Sequence, residues 1–377
     1  MIALIIFAIS FIVLMLYYGM HHLRVALYKN DRNRKQDNDN NAKPSVSIVL
    51  TVKNDEIFLS DNLTYLLEQE YPDFEVIVVD YASTDGTQYV LQVYKENYGD
   101  RLKIVRFPDE NPMYRGKKYP LAIGIQSAKN DIIVLTDADC IPNGFNWVSE
   151  MASPFANPRT DIVIGYCGYN RNGTVLNDFI QFENLQSMGS IFGKALMHHP
   201  YSAHGQNMAY RRDFFFRNNG FIKHYNIPAG DDDLFINQNA TRKNTSIRTT
   251  KESFVKTNSK DNFSLWHSQR CERSISRSHF KFSDKLLISA YPAFVLLFYL
   301  FGALSYIAMP LPVLGFCILG VLAVKLTWQV ICFYQMCRYF ETQKHISFLS
   351  PLFEIYFMFA NTFLNITTLR HKKSRWK

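Results

Sequence analysis

Three long apolar stretches interrupt an otherwise mixed pattern of polar and apolar positions along the chain. Residues 1–18 carry no charged side chain, and two further apolar runs cover residues 286–308 and 311–334. About 20 helical residues cross the ~30 Å hydrocarbon core of a membrane, so each stretch is long enough to span it. The pattern therefore predicts three transmembrane helices attached to a middle region, residues 44–285, that has the composition of a soluble domain.

The flanks of these stretches predict how the chain sits in the membrane. The first run lacks a basic segment before it and a small-residue cleavage site after it, so we interpret residues 1–22 as a retained anchor. Basic residues follow it closely, and the positive-inside rule then places the middle domain in the cytoplasm. A juxtamembrane interfacial helix is expected at 274–285, before the hairpin formed by the second and third runs.

The end of the chain allows two interpretations. Residues 347–368 are apolar but include Glu354, and we interpret them as an interfacial or re-entrant helix. The basic tail at 369–377 is then cytoplasmic, whereas a fourth membrane span would place it outside. Lys325 lies within the third apolar run, where burial against the other helices or snorkelling is expected.

In the middle region, the spacing of apolar residues is that of strands alternating with helices. A polar linker at 30–44 is followed by a predicted catalytic domain at 45–273. Apolar runs resembling buried strands alternate with helix-like spacings, as in the leucines at 59, 63, 66 and 67. The strands are expected at 45–52, 75–80, 103–107 and 131–135, with helices between them. This β-α-β-α-β-α-β order predicts an α/β fold with a mostly parallel, doubly wound sheet.

Composition and charge narrow the class of protein. The 377 residues carry a formal net charge of +8, and the basic residues concentrate at the membrane flanks. That distribution fits an anionic membrane surface better than nucleic acid. The six cysteines occur singly and without a Cys-x-x-Cys pair, which indicates a reducing compartment and no zinc site.

Two carboxylates follow the fourth predicted strand. Asp137 and Asp139 are one residue apart, and strand alternation would point both side chains to the same face. The carboxyl end of a strand in an α/β sheet borders the crevice where ligands bind. Two hard oxygen ligands there suit Mg²⁺ or Mn²⁺ held jointly with a diphosphate, although a solvated strand end has the same appearance.

Six short motifs stand in a characteristic order along the chain. They occupy residues 46–56, 78–87, 116–122, 136–140, 204–211 and 230–234. Together they resemble family 2 glycosyltransferases, the inverting enzymes with an A-type nucleotide-binding fold that include cellulose, chitin and hyaluronan synthases. The resemblance covers about residues 45–280, and members that combine this domain with membrane helices are common in bacteria.

The resemblance implies a donor site built from five residues. Asp80 would accept the imide N–H of uracil or, alternatively, cap the next helix; family members usually have a second Asp where this chain has Tyr81. Lys117 would contact the diphosphate, and Lys118 would do so or be solvated. Asp139 is the first choice for the metal ligand, with Asp137 binding the ion or the ribose.

Asp231, Asp232 and Asp233 stand where the family carries its catalytic carboxylate. An inverting transfer needs one carboxylate to take the proton of the acceptor hydroxyl. The resemblance assigns this base to Asp232 and the neighbouring acid to Asp231, while Asp233 would serve the N-terminus of the following helix. A shift of one residue would make Asp231 the base, and a purely structural acidic cluster is the remaining alternative.

A third group of residues is implied to contact the acceptor or product. Gly205 and Asn207 precede a strand that faces the sugar or acceptor in the family. Processive synthases carry Gln-x-x-Arg-Trp before the membrane, and this chain has Gln269, Arg270 and Arg273 at altered spacing, with Trp266 ahead of them. Trp266 could stack on a sugar or anchor the helix at the membrane interface.

These residues lead to one expected function and two alternatives. We expect an enzyme of the bacterial inner membrane that uses Mg²⁺ or Mn²⁺ and transfers a sugar from a nucleotide-diphospho-sugar, with UDP as the expected nucleotide. The acceptor would be lipid-linked or delivered by the membrane, with membrane lipids as partners. The altered Gln-x-x-Arg-Trp motif argues against the first alternative, a processive synthase acting as an oligomer. Intact Asp139 and Asp232 argue against the second, a non-catalytic scaffold of a polysaccharide-export assembly.

Overall fold

The structure, a computed structural model, describes residues 1–29, 43–109, 116–227 and 229–368, with the backbone alone described at 361–368. The predicted linker at 30–44, apart from its last two residues, lies outside the described residues. So does the predicted basic tail at 369–377.

In the part of the chain that the structure describes, ten strands form two sheets. They are β1 Val46–Val52, β2 Phe74–Tyr81, β3 Leu102–Phe107, β4 Ile132–Leu135, β5 Ile141–Pro142, β6 Ile162–Ile164, β7 Cys167–Tyr169, β8 Met208–Arg211, β9 Thr245–Ile247 and β10 Val255–Thr257. The larger sheet has the order β3-β2-β1-β4-β8-β6-β9, and the smaller has the order β5-β10-β7. Strands β1 to β4 are parallel neighbours, and β8 runs antiparallel to β4 and β6. The predicted α/β fold is therefore present, with an antiparallel strand completing a mixed sheet.

Twelve α-helices within the described ranges surround and extend these sheets. They are α1 Ile2–Ala26, α2 Glu56–Leu67, α3 Thr87–Tyr98, α4 Lys118–Ser127, α5 Trp147–Ala152, α6 Val175–Leu196, α7 Arg212–Arg217, α8 Asp233–Asn239, α9 Phe263–Arg277, α10 Phe282–Ala308, α11 Pro312–Tyr339 and α12 His345–Thr368. Short 3₁₀ turns cover Gly99–Arg101, Ser153–Ala156, Ile222–His224 and Lys251–Ser253.

The centre of the large sheet is buried on both faces. Every residue of β1 and β2 is buried, as expected for strands covered by helices on each side. Helix α4 comes especially close to this sheet at Gly124. A Cβ atom there would lie 2.7 Å from Val49 Cγ1 and 2.8 Å from Val79 Cγ2, so glycine is what allows the helix to pack at this distance.

The predicted placement of Asp137 and Asp139 within a strand is wrong. Strand β4 ends at Leu135, so Asp137 and Asp139 lie in the turn after the strand and not within it. The turn is closed by a hydrogen bond from Cys140 N to Asp137 O at 3.1 Å. The two carboxylates are therefore brought together by turn geometry, and strand alternation is not the reason.

Among the described residues, three helices are long and apolar enough to cross a membrane: α1, α10 and α11. They correspond to the three apolar runs of the sequence. Helix α12 is 24 residues long, its described side chains are mostly apolar over His345–Ala360, and its interfacial or re-entrant placement stays a prediction. The predicted helix at 274–285 is wrong as a single element, because α9 ends at Arg277 and α10 begins at Phe282.

Helix α1 continues beyond its apolar part and packs on the α/β domain. The helix has a π-helical segment at Tyr18–Leu23, and the side chain of His22 bonds there to Gln186 of α6, with Nε2 and Oε1 2.9 Å apart. At Gly193 of α6 the backbones approach so closely that a Cβ atom would lie 2.8 Å from His21 Cα. This contact fixes the α/β domain directly against α1.

A buried polar cluster ties α12 to the membrane helices. Lys325 of α11 forms an ion pair with Glu354 of α12, and both side chains are fully buried. The Glu354 carboxylate also accepts hydrogen bonds from Tyr18 and Tyr291, the latter at 2.9 Å. Lys325 is thus buried against the other helices, one of the two arrangements expected from the sequence.

Candidate functional site

The carboxyl ends of β2 and β4 place two groups of acidic residues at one edge of the large sheet. Both strands flank β1 in parallel, so Asp80 near the end of β2 and the turn after β4 share that edge. Strand β8 begins beside the end of β4, with Met208 opposite Leu135. The loop before β8, which contains Gly205, therefore reaches the same edge, where the crevice of an α/β sheet lies.

The turn after β4 forms the strongest candidate for a cation site among the described residues. One ligand atom from each of Asp137, Asp139 and Cys140 lies within 4.8 Å of the others. Burial raises the pKa of Asp139, and the neighbouring Asp137 raises it further. Burial also raises the pKa of the Cys140 thiol well above its usual range, so the sulfur is a neutral group inside the protein. The two carboxylates remain as hard ligands, which fit Mg²⁺ or Mn²⁺.

Lys117 neutralises part of this charge. Its ammonium forms an ion pair with Asp137, in a place where both side chains are still partly exposed. Burial opposes the charged form, but the attractions of Asp137 and Asp231 prevail and raise the pKa of Lys117. One fixed cation thus faces carboxylates from two segments, which leaves an excess of negative charge for a divalent ion to balance.

Lys118 does not face the crevice as a phosphate contact or as a solvated residue. Its side chain is 1% exposed, and Nζ donates hydrogen bonds to the carbonyl oxygens of His224 at 2.7 Å and Ile227 at 2.9 Å. Helix α4 begins between the two lysines, so their side chains diverge. The expected diphosphate contact of Lys118 is therefore wrong, and the residue holds the 224–227 segment instead.

Asp80 keeps one carboxylate oxygen available to a ligand. The side chain is 1% exposed, and Oδ1 accepts a hydrogen bond from Ser83 N at 3.2 Å. Its Oδ2 is buried and has no hydrogen-bond partner among the described residues. A buried acceptor without a partner is costly, and a ligand N–H group would satisfy it. At the position of the missing second Asp, Tyr81 packs against the ring of Phe107, with centroids 5.5 Å apart.

The three consecutive acids at the start of α8 point to three different places. Gly230 adopts φ +95°, a left-handed conformation that glycine tolerates and other residues rarely do, and it turns the chain into the helix. Asp232 is the N-cap, with Oδ1 accepting from Asp233 N at 2.6 Å and Oδ2 accepting from Gly205 N at 2.8 Å. Asp232 is thereby fixed at the sheet edge that carries Asp137.

Asp231 and Asp233 have environments of their own. Burial and the charge of Asp232 raise the pKa of Asp231 to about 6, against the opposing attraction of Lys117. Asp233 is buried and accepts a hydrogen bond from Ser276 Oγ of α9 at 2.6 Å; burial and Asp232 raise its pKa to about 7. Asp233 is the first residue of α8 and so lies at the helix N-terminus, as expected from the sequence. The capping hydrogen bond itself is made by Asp232, and the Asp233 side chain joins α8 to α9.

Three of the residues expected to contact the acceptor are internal. Asn207 is fully buried, donates to the carbonyl oxygens of Tyr166 and Ser253 at 2.8 Å each, and accepts from Trp147 Nε1 at 3.1 Å. Its side chain joins three segments behind the crevice. The expected acceptor contact of Asn207 is therefore wrong for the described arrangement.

Trp266 and Arg270 of α9 converge on Glu183 of α6. Trp266 is 2% exposed and donates to Glu183 Oε2 at 3.1 Å, while Arg270 Nε lies 2.7 Å from Glu183 Oε1 in a buried ion pair. Neither the predicted sugar stacking nor membrane anchoring applies to Trp266, and Arg270 serves the α6–α9 packing. Gln269 and Arg273 remain candidates, because both line a small cavity beside this pair.

Two groups were not found from the sequence. Arg277, at the end of α9, opposes the rise in the pKa of Asp233. Burial, followed by the charges of Arg273 and Arg277, lowers the pKa of His204, which lies next to Gly205. Glu183 is the second. A lone carboxylate in a segment rich in phenylalanine and leucine is a signal that could have drawn attention to Glu183. A basic residue one helical turn beyond Arg273 could have done the same for Arg277.

Comparison with known families places this geometry in a wider group. The model described as "Glycosyl transferase family 2" matches residues 47–216, and the model described as "Glycosyl transferase family group 2" matches residues 132–330, more than half of the chain. Both matches include the carboxylates after β4, and the second also includes the acids of α8.

Curated relatives match part of the chain. A glycosyltransferase of Haloferax volcanii, AglE, is 28% identical over 152 residues, which is 39% of this chain and 48% of that protein. A putative teichuronic acid biosynthesis glycosyltransferase of Bacillus subtilis is 30% identical over 143 residues, covering 37% and 54%. A poly-β-1,6-N-acetyl-D-glucosamine synthase of Staphylococcus epidermidis is 25% identical over 149 residues, covering 39% and 34%. The chain thus spans about half or less of the length of these relatives.

A solved structure shares the fold over nearly the whole chain. It is a mannosyltransferase of Pyrobaculum calidifontis in complex with GDP-mannose and Mn²⁺, with a TM-score of 0.59 at 19% identity. The alignment covers 94% of this chain and 98% of that one. At this identity the likeness shows the A-type fold alone.

Proposed function

The chain belongs to glycosyl transferase family 2, and on that premise we propose that it transfers a sugar, with inversion, from a nucleotide-diphospho-sugar to an acceptor at the membrane. One observation carries the proposal. Lys117 and the Asp137–Asp139 turn meet the Asp231–Asp233 segment at the carboxyl edge of the sheet. A direct displacement requires the donor diphosphate and the base for the acceptor to lie next to each other.

The nucleotide would lie along the end of β2. The buried and unpartnered Oδ2 of Asp80 is an acceptor for an N–H group of a base, which supports uracil, the nucleotide base expected from the sequence. Guanine also presents such a group, and the structural neighbour was solved with GDP-mannose. We therefore propose UDP-sugar as the donor and make GDP the competing outcome of the test.

Asp139 and Asp137 would hold a divalent metal ion, Mg²⁺ or Mn²⁺, together with the diphosphate. The two hard carboxylates and the excess negative charge around Lys117 support this assignment. The ion would stabilise the negative charge on the departing diphosphate. Lys117, with its compact ammonium group, would contact the same phosphates.

Asp232 would act as the general base. It would take the proton of the acceptor hydroxyl while that oxygen bonds to the anomeric carbon and the bond to the diphosphate breaks, the leaving group keeping the electron pair. Two backbone N–H groups hold the Asp232 carboxylate in place. Asp231, whose pKa lies near 6, is the neighbouring acid and the alternative base if the assignment is displaced by one residue.

The acceptor would come from the membrane. Helix α1 fixes the catalytic domain against the membrane helices through His22 and Gly193. Basic residues after α1 support a cytoplasmic orientation of the domain in a bacterial inner membrane. The Bacillus and Staphylococcus relatives carry the names of cell-envelope glycan enzymes, which supports a role in cell-surface glycan synthesis.

A single transfer is favoured over processive polymer synthesis. A processive enzyme needs a surface that grips the growing chain at the exit of the site. Trp266 and Arg270, the two residues most suited to that contact, are buried against Glu183. Their use inside the protein supports release of the product after each transfer.

The test is a titration of UDP, UDP-sugars and GDP into the detergent-purified full chain with and without Mn²⁺. We expect UDP to bind more tightly with Mn²⁺, and Asp139→Asn to abolish that difference, because an amide is a poor ligand for a hard cation. Asp61→Asn, which alters an exposed carboxylate of α2, is the matched control and should behave as wild type. An affinity for UDP that changes neither with Mn²⁺ nor with Asp139→Asn would contradict the proposed donor site. Tighter binding of GDP than of UDP would make GDP the donor nucleotide.

A further inference from the structure

A cavity of about 310 Å³ lies where the catalytic domain meets the membrane helices, apart from the donor site. We call it the interfacial pocket, and its walls include Ser187, Arg270, Arg277, Lys285 and Tyr291 together with Glu183. Its volume is at the lower end of the range of small-ligand sites, which suits a head group and not a whole lipid.

The two sides of the interfacial pocket differ in chemistry. Helices α6 and α9 contribute polar side chains, among them Ser187 and Ser190 on α6 and Ser274 on α9, and Ser278 follows directly after α9. Helix α10 contributes the apolar groups Leu287 and Ile288, and α12 contributes Phe357. Such an amphiphilic cavity at the base of a membrane helix fits a polar head whose apolar chain leaves toward the lipid.

The pocket carries an excess of positive charge. Three cationic side chains line it, those of Arg270, Arg277 and Lys285, against the single carboxylate of Glu183, which is paired with Arg270. Among the described residues, the half-buried guanidinium of Arg277 has no hydrogen-bond or ion-pair partner. A guanidinium and an ammonium facing serine hydroxyl groups in a confined space form a suitable site for a phosphate group.

The pocket is connected with the proposed base. A smaller cavity shares Glu183, Arg270 and Arg277 with it and is also lined by Gln269 and Arg273. Next to Arg277 in the chain, Ser276 donates to Asp233, and Arg273 interacts electrostatically with Asp232. A ligand whose phosphate lies in the pocket would therefore extend its reactive group along Arg273 toward Asp232.

We propose that the interfacial pocket binds the phosphate or diphosphate group of a membrane amphiphile, with Arg277 and Lys285 as its principal contacts. The inference rests on the proposed function and deepens it, because it makes the acceptor a phosphate-bearing lipid. A prenyl-type phosphate, a glycerophospholipid and free phosphate share this chemistry, and the experiment separates them.

The experiment uses the full chain in nanodiscs of phosphatidylcholine, with geranylgeranyl phosphate as the probe. We expect saturable binding that Arg277→Gln weakens by about tenfold or more, the usual loss for a hydrogen bond to a charged group. Lys285→Gln should weaken binding severalfold. Arg338→Gln, which removes an exposed cation at the end of α11, is the matched control and should leave binding unchanged.

Three further ligands identify the source of the phosphate. Geranylgeraniol should bind far more weakly than its phosphate. Inorganic phosphate should displace the probe only at much higher concentration. Whichever of geranylgeranyl phosphate and phosphatidylglycerol binds more tightly identifies the class of lipid. Equal binding of the alcohol and the phosphate, or wild-type binding by both Arg277→Gln and Lys285→Gln, would overturn the inference.

Folding and donor binding are measured on the same samples. Variants are compared only where their melting temperatures match that of the wild type within a few degrees. If UDP binds with Mn²⁺ but the probe does not bind to the wild type, the interfacial pocket is refuted and the proposed function stands. If the wild type binds no nucleotide, the proposed function itself fails.

Discussion

The ion pair between Glu183 and Arg270 offers a test of whether α9 is held structurally at the point where an acceptor contact was expected. The two side chains are 10% and 7% exposed, and their closest atoms are 2.7 Å apart. Glu183→Gln would leave the Arg270 charge buried without its partner carboxylate, and removing one member of a buried pair costs about 3–5 kcal/mol. Arg270→Met would leave the Glu183 carboxylate without its cation, with a similar cost.

The double variant distinguishes the pair from other causes of instability. Replacing both partners by uncharged groups of similar size is often nearly neutral, so Glu183→Gln with Arg270→Met should recover most of the stability. At about 3 kcal/mol, each single variant should lower the melting temperature of this 377-residue chain by about 4 °C, while the double variant should lie close to the wild type.

The assay is thermal unfolding of the full chain in one detergent, followed by near-UV circular dichroism for all four proteins. Equal losses that add in the double variant would refute the pairing. An Arg270→Met protein that unfolds like the wild type but has a raised KM for the acceptor would refute the structural role and restore the contact expected from the sequence.

Two further predictions concern the buried residues Lys325 and Lys118. Lys325→Met and Glu354→Gln should each lower the yield of folded protein in membranes, because each leaves a lone charge buried among the helices. The double variant should restore the yield, which is measured from size-exclusion profiles of the extracted protein. Losses of yield that add in the double variant would contradict this prediction. Burial lowers the pKa of Lys118 to about 8, against an ordinary value of 10.5, so between these values the unfolded chain binds more protons. The free energy of unfolding of the wild type, relative to that of Lys118→Met, should therefore increase from pH 8 to pH 10.5 by up to about 1.4 kcal/mol per pH unit. Denaturant titrations measure this difference, and a difference that is constant with pH would contradict the burial of the Lys118 amine.

The residues at strand ends were predictable because their placement follows from the topology. Asp80 lies near the end of the buried strand β2, and the Asp137–Asp139 turn follows the buried strand β4. Parallel strands present their carboxyl ends at one edge of a sheet. The three membrane helices were equally predictable, since their length and lack of charge suffice. The strand–helix alternation likewise led to the parallel half of the sheet, and the antiparallel β8 completes it.

The roles that failed depend on contacts between distant segments. Trp266 is bonded to Glu183, 83 residues earlier in the chain, and no local pattern of α9 reveals that partner. The fate of Lys118 depends on the carbonyl groups of a loop more than a hundred residues away. Among the three acids of α8, the choice of the capping residue depends on where the helix begins and on the backbone of Gly205, which residue order alone leaves open.

The central claim is that Asp232 removes the acceptor proton beside a donor held by Asp80, Lys117 and Asp139. Turnover of the UDP-sugar, with UDP affinity determined in parallel, should be compared among wild type, Asp232→Asn, Asp231→Asn and the control Asp61→Asn. The account predicts that Asp232→Asn lowers turnover by about 10²–10⁴-fold with nearly unchanged UDP affinity, because the amide keeps one capping oxygen but accepts no proton. Near-normal turnover of Asp232→Asn would contradict the account, and an inactive Asp231→Asn beside an active Asp232→Asn would transfer the role of base to Asp231.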